Sequence, residues 1–150
     1  MKAVITRVQS ASVTVAGQTV GQIGPGFLIL LGVKPEDTPE ACRKLADKVL
    51  SLRVFEDENG KMNRGLSDVG GSVLVVSQFT LYADCSHGRR PSFIGAAPPE
   101  LAVVLYEQFL EECEKQGFPP QHGQFGAHMQ VSSVNDGPVT LIVDTDDLLK

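Results

Sequence analysis

The stretch Val134-Asn135-Asp136-Gly137-Pro138-Val139-Thr140-Leu141-Ile142-Val143 sets turn-forming residues directly against a strand. Residues 139–143 are apolar apart from Thr140 and rich in β-branched side chains, which predicts a strand shielded on both faces. Residues 135–138 cannot continue that strand. Proline has no N–H for a ladder and glycine adopts backbone angles closed to other residues, so the spot favours a sharp backbone feature with its carbonyls turned outward. The Gly137-Pro138 bond is a candidate for the cis isomer, which costs only about 0.5–1 kcal/mol before proline against roughly 2.5–4 kcal/mol elsewhere. The ordinary expectation for these four residues is a hairpin turn joining strands at 131–134 and 139–143.

Working outward, a second strand ends as awkwardly. Val73-Leu74-Val75-Val76 runs into Ser77-Gln78-Phe79-Thr80-Leu81, which puts polar side chains where a buried strand should stop. Toward the N-terminus, residues 3–8 and 11–15 read as strand segments. Ala16-Gly17-Gln18 turns into residues 19–23, and Gly24-Pro25-Gly26 turns again into the apolar run 27–33. This predicts an antiparallel meander that ends in a buried strand. Thr38 is placed to cap a helix with Pro39 at its first position, where the missing N–H does no harm. Cys42, Leu45, Ala46, Val49 and Leu50 then recur at three- and four-residue spacing and form one apolar stripe. A second helix is expected from Pro98 or Pro99 to about Gln116, with Leu101, Leu105, Phe109 and Cys113 inward and Gly117 as its stop. Residues 84–93 read as a loop beside the polar strand end, a plausible lid or rim, and residues 145–150 as a polar tail without a task. The fold class that follows is a single α+β domain over residues 1–150, a mixed, largely antiparallel, barrel-like sheet with two main helices. If residues 139–143 are covered on both faces, a second copy of the chain is the economical cover for the sheet face opposite the helices.

Composition narrows the function. A chain of 150 residues with 42% hydrophobic and 21% charged content has the make-up of one soluble globular domain. No apolar run approaches the roughly 20 residues that span a bilayer, and Lys2 and Arg7 flank no signal-peptide core, so a cytoplasmic protein is expected. Three cysteines, far apart and without C-x-x-C spacing, suggest neither disulfides nor zinc, and no metal or cofactor is implied. A net charge of −5 argues against coating nucleic acid along many phosphates. Contact with one end of an RNA remains compatible with it. Arg7, Lys61, Arg64, Arg89 and Arg90 are the candidates for a local basic rim.

The chemistry is informative by omission. A side-chain nucleophile usually needs a base that a third group orients. His87, His122 and His128 are present, yet there is no G-x-S-x-G elbow and no histidine–carboxylate pattern. An active site built mainly from backbone groups is therefore favoured, at the two places where strands end in awkward residues. Main-chain N–H groups near Phe79 and Thr80 are candidates to receive negative charge developing on a carbonyl oxygen, and Gln78 to orient an ester through its amide.

Together, Ser77-Gln78-Phe79-Thr80-Leu81 and Asn135-Asp136-Gly137-Pro138-Val139-Thr140 resemble the two signature motifs of the D-aminoacyl-tRNA deacylases, the D-tyrosyl-tRNA deacylase family. Residues 1–33, Gly60-Lys61-Met62-Asn63-Arg64, Gly88-Arg89-Arg90-Pro91-Ser92-Phe93 and Phe125-Gly126-Ala127-His128-Met129 stand in the order that family has. The resemblance covers nearly the whole chain. It implies a homodimer with active sites at the subunit interface, acting on the 3′-terminal adenosine of aminoacyl-tRNA. It also implies that Gly137 and Pro138, held in cis within the motif of Asn135, Val139 and Thr140, reach into the partner's pocket and exclude L-amino acids.

On the same resemblance, Phe125 and Met129 help shape an adenosine pocket, and the substrate's own 2′-hydroxyl assists ester cleavage with no obligatory side chain. Glycyl-tRNA, including glycine mischarged on tRNA(Ala), should be partly accepted because glycine has no side chain to refuse. His128 stands where the family commonly has an acid. Thr80 is expected to position rather than attack, since nothing nearby in sequence would lower the pKa of its hydroxyl. The alternatives are a conventional esterase or amidase with Thr80 or Ser77 as nucleophile, and a non-catalytic dimeric module that binds RNA ends or peptide.

Overall fold

The computed structural model describes residues 1–149. Its first strand, β1 (Lys2–Val15), runs unbroken through Gln9 and Ser10, where the sequence suggests two segments. Those residues do not end the strand, because the ladder opposite absorbs them by a shift of register between Val8 and Ser10. Ala16 and Gly17, with φ of 49° and 79°, form a left-handed two-residue turn that suits the strand twist. β2 (Gln18–Ile23) then pairs antiparallel with residues 11–15 of β1, and β3 (Gly26–Gly32) pairs antiparallel with residues 2–8. The expected meander is thus corrected. β2 and β3 run in the same direction along one edge of β1, and Gly24-Pro25-Gly26 is a kink rather than a reversal. Pro25 offers no N–H there, and Gly26 takes φ 152°.

α1 (Pro39–Leu50) begins as its sequence predicts: the Thr38 hydroxyl accepts from the Ala41 N–H at 3.2 Å, and the stripe of Cys42, Leu45, Ala46, Val49 and Leu50 is buried. A small hairpin follows, β4 (Phe55–Glu56) and β5 (Met62–Arg64), then a one-turn helix α2 (Leu66–Val69). β6 (Ser72–Ser77) pairs parallel to β3 and carries the chain into a 3-10 turn (Phe79–Tyr82). α3 (Pro99–Lys115) lays Ala102, Leu105, Tyr106, Phe109 and Cys113 inward, and β7 (Gln121–His122) pairs parallel to β6. β8 (Gln130–Asp144) runs antiparallel along β1, and α4 (Thr145–Leu148) ends the described chain. None of these helices is long and apolar enough to cross a membrane.

The period of two along β3 and β6 divides the interior. Phe27, Ile29, Leu31, Val73 and Val75 face α1 and α3, while Leu28, Leu74 and Val76 face a second core with Val8, Val13 and Ile23. The sheet itself encloses that second core, since it curls until β2 meets β7. A Cβ on Gly21 would lie 2.6 Å from the His122 carbonyl oxygen. A nearly closed barrel-like sheet in a single α+β domain is the result. β3 and β6 therefore need no second copy to cover their other face.

β8 departs from expectation in the opposite sense. Residues 139–143 are not shielded on both faces, and β8, paired with β1 alone, lies at the sheet's edge. Ile142 is 69% exposed and Val134 51%. The supposed polar tail, by contrast, has a task. The Met1 ammonium donates to Thr145 Oγ1 at 2.7 Å and to Asp37 Oδ1 at 2.6 Å, and the Thr145 N–H returns to the Met1 carbonyl. Lys34 and Asp146 pair at 2.5 Å, and each moves the other's pKa, the lysine up and the carboxyl down.

Candidate active site

Parallel pairing of β6 with β3 brings Ser77 opposite Leu31, and the Gln78 N–H prolongs the ladder by donating to the Leu31 carbonyl at 2.8 Å. At Gln78 the backbone leaves extended geometry and tightens into the 3-10 turn. Gly32 permits this close seating: a Cβ there would stand 3.1 Å from Leu81 Cβ and 3.2 Å from the Tyr82 ring. Beside the turn opens a cleft of about 560 Å³. Leu31 and Val76 line it from the sheet, Val33 from just beyond β3, Phe93, Ala96 and Ala97 from the returning loop, and Phe125, His128 and Met129 from the segment before β8. Ser77, Gln78 and Phe79 line it as well. Predominantly apolar walls with a few convergent polar groups are what a small-molecule site requires.

The side chains are held from behind. Phe125 packs on Tyr106 with ring centroids 5.8 Å apart, and the Tyr106 hydroxyl donates to the Val75 carbonyl at 3.1 Å. Met129 packs on the second core and lies so close to Gly123 that a Cβ there would meet its sulfur at 2.5 Å. Both residues therefore serve core and cleft at once. Phe79, 54% exposed, meets Phe93 edge to face at 5.3 Å. The Gln78 side-chain amide donates to Thr80 Oγ1. Among the described residues, neither Ser77 nor Thr80 hydrogen-bonds a histidine or a carboxylate, and the N–H groups of Phe79 and Thr80 find no acceptor. Also among the described residues, no group of three or more His, Cys, Asp or Glu could hold a metal ion.

The second motif is not a hairpin turn. β8 continues through it, with Asn135 paired to Val8 and Thr140 to Thr6, so that residues 136–139 stand opposite Arg7 alone. They form a wide bulge. Asn135 closes its base: its side-chain Nδ2 donates to Thr140 Oγ1 at 3.1 Å, and its side-chain Oδ1 accepts from the Val139 N–H at 3.0 Å. At the crest Gly137 takes φ 130° and the Gly137-Pro138 peptide is cis, with both residues exposed. Arg7 supports the bulge from within. Its Nε donates to the Asp136 carbonyl at 3.0 Å and lies 3.7 Å from the Asp136 carboxylate, and Nη1 donates to the Val54 carbonyl at 2.6 Å.

Arg7 is therefore corrected from a member of a basic rim to a buried brace, 6% exposed. Its position could have announced this. Ala3, Ile5 and Arg7 fall on the inward phase of β1, where a charge needs buried partners. Lys61 and Arg64 lie exposed on the β4–β5 hairpin, where Arg64 Nη2 donates to the Asp68 carbonyl at 3.1 Å, and Arg89 and Arg90 are exposed at a loop tip. Ser77, Gln78, Phe79, Phe125 and Met129 thus come together in one cleft. Asn135, Gly137, Pro138, Val139 and Thr140 come together on the bulge and do not line that cleft within one chain. Sequence reasoning missed Phe93 and Ala97, which reach the cleft through a loop whose return path carries no periodic signal.

Residues 4–144 match the model of the family described as D-Tyr-tRNA(Tyr) deacylase. A D-aminoacyl-tRNA deacylase of Desulfatibacillum aliphaticivorans is 59% identical over 97% of this chain and 99% of that protein. One of Shewanella baltica is 61% identical over 93% of this chain and 97% of that protein. Among solved structures, a c-Myc DNA Unwinding Element Binding Protein is similar with a TM-score of 0.90 and 45% identity, over 96% of this chain and 98% of that one. A probable eukaryotic D-amino acid tRNA deacylase shares the fold, at a TM-score of 0.81 and 16% identity over 95% and 97% of the two chains. The resemblance read from the two motifs is borne out, and the chain belongs to the D-Tyr-tRNA(Tyr) deacylase family.

Proposed function

We propose that this chain hydrolyses the ester of D-aminoacyl-tRNA, releasing free D-amino acid and tRNA, and refuses the L enantiomer. One observation carries the reading: in a chain of this family, a mostly apolar cleft of about 560 Å³ opens beside unpaired N–H groups at residues 79–80. A volume of that order suits the terminal aminoacyl-adenosine and not a duplex. Water attacks the ester carbonyl, the 3′-oxygen leaves with a proton, and the adjacent 2′-hydroxyl of the substrate assists. The N–H groups of Phe79 and Thr80 receive the charge that develops on the carbonyl oxygen, an effect worth about 2.7–4 kcal/mol per donor in oxyanion holes. Gln78 positions the ester, and Thr80, whose hydroxyl meets an amide and no base, is not a nucleophile.

Stereochemistry is assigned to the bulge of a second copy. Gly137 and Pro138 stand outside the cleft of their own chain, on a strand whose exposed Val134 and Ile142 suit burial in a homodimer. A rigid main-chain wedge entering the partner's cleft captures the amino group with its carbonyls and leaves no room for an L side chain. Glycyl-tRNA, including glycine mischarged on tRNA(Ala), is accepted by the same geometry. The protein acts in the cytoplasm, where aminoacyl-tRNA is found.

Matched D- and L-aminoacyl-tRNAs, and a D-substrate ending in 2′-deoxyadenosine, test this. Hydrolysis of the D-ester alone, slowed severely without the 2′-hydroxyl, is expected. Equal hydrolysis of both enantiomers would remove the stereochemical assignment. Undiminished turnover of the deoxy substrate would point to a side-chain esterase, and binding without turnover to a module that only holds RNA ends.

A further inference from the structure

Resting on that reading, we propose that the loop at residues 84–92 is a phosphate clamp for the single-stranded 3′ end of the tRNA. Arg89 and Arg90 engage the phosphates just before the terminal adenosine. The chain on either side of the loop lines the cleft: Phe79 before it, and Phe93, Ala96 and Ala97 after it. The neck is closed by reciprocal backbone bonds, Asp84 N–H to Ser92 carbonyl at 2.8 Å and Ser92 N–H to Asp84 carbonyl at 2.9 Å. Below it, Phe79 and Phe93 interlock, and the Ala97 N–H ties the return to the Val33 carbonyl at 2.9 Å. The tip therefore stands at the cleft's mouth. Gly88 is four residues beyond Asp84, so the backbone reaches at most about 14 Å from the neck. That reach covers phosphates next to the bound adenosine and not a distant stem.

Charge identifies what the tip holds. Residues 85–99 contain no acid, although the chain carries a net charge of −5. Some cations are engaged within the chain: Arg7 by two carbonyls and Asp136, Lys34 by Asp146, and Lys115 by Glu112. Arg89 and Arg90 are exposed and have no ion pair among the described residues. Two adjacent free guanidiniums present forked donors that fit phosphate oxygens. An acidic protein cannot hold RNA by a broad basic surface, so a contact confined to this loop is what its charge permits.

The test measures kcat/KM on a D-aminoacylated acceptor-stem hairpin against salt concentration. The native protein is compared with Arg89→Ala/Arg90→Ala, Arg89→Lys/Arg90→Lys and, as an equal loss of charge elsewhere, Arg43→Ala/Lys44→Ala on α1. Each single-strand phosphate contributes about 0.7 to the salt slope, so the double alanine variant should flatten it by about 1.4. Between about 50 and 200 mM salt the native protein then loses about sevenfold more than the variant. The lysine pair should keep most of the slope, and the α1 control all of it. Parallel slopes for the native and double alanine proteins, or equal flattening by the α1 control, would overturn the clamp. If the native protein hydrolysed no charged hairpin, the proposed function would fall instead. The same slopes, read from binding of the uncharged hairpin, would then decide the clamp separately.

Discussion

Replacing Arg7 by methionine keeps much of the apolar stem and removes the guanidinium. Two bonds are lost, from Nε to the Asp136 carbonyl at 3.0 Å and from Nη1 to the buried Val54 carbonyl at 2.6 Å. Hydrogen bonds to a charged partner contribute about 1.5–3 kcal/mol each. The ion pair with Asp136 adds little, because that side chain is 44% exposed and solvent screens it. A loss of about 3–6 kcal/mol is therefore expected, enough to lower Tm by roughly 6–24 °C in a chain of this length. The effect on function should be sharper. A Cβ on Gly137 would lie 2.9 Å from Arg7 Nη2, so the guanidinium is the surface against which the bulge is set. Without it the wedge loosens, and the ratio of D to L hydrolysis should fall more than kcat on the D-substrate. Arg7→Lys should restore part of the stability, since one ammonium cannot serve two diverging carbonyls with the same geometry. Urea unfolding gives the first quantity and paired single-turnover assays the second. A change in stability below about 1 kcal/mol would refute the brace. An unchanged D/L ratio in a measurably destabilised Arg7→Met protein would refute the link from brace to selectivity.

Gly26→Ala should prevent folding, because the added Cβ would lie 1.8 Å from the Ser72 carbonyl oxygen, where β3 and β6 begin to pair; circular dichroism and solubility read the outcome, and a native-like melt would refute it. Thr80→Ala should retain deacylation to within about tenfold, whereas loss of an obligatory nucleophile would cost several powers of ten more. Burial pushes the thiols of Cys42 and Cys113 up to about 12 from an ordinary value of 9.0, while Cys85 is exposed. A thiol reagent at neutral pH should titrate one cysteine in the native protein and three in urea. Folded values above unfolded ones mean that this contribution to stability is complete below about pH 9 and declines as pH rises toward 12, since the unfolded chain ionises first. Denaturation curves that do not shift between pH 8 and pH 10 would contradict that burial.

Much of the site was legible because its parts are local. Ser77 and Gln78 stand out as polar residues ending an apolar strand, and Asn135 to Thr140 as an interruption in another. The cleft that Ser77 and Gln78 line was not legible. Leu31, Phe93, Ala97 and Phe125 meet only because β3 and β6 pair in parallel and the loop after Tyr82 folds back over the strand ends. Arg7 shows the reverse failure. Its charge suggested solvent, although its phase along β1 already pointed inward.

From sequence alone came whatever depends on neighbours within about four residues: the Thr38 cap, the apolar stripe of α1, the helix from Pro99, and the unbroken apolar run that marks residues 27–33 as a buried strand. Tertiary structure decided which strands share a ladder. It laid β2 and β3 end to end on β1, carried β8 through its bulge without reversing, and left residues 139–143 at an open edge. The physical reason is that a strand's hydrophobic pattern reports burial but not its partner. Pairing is settled by groups far apart in the chain, and here Thr6 meets Thr140 with Arg7 filling the gap beside them.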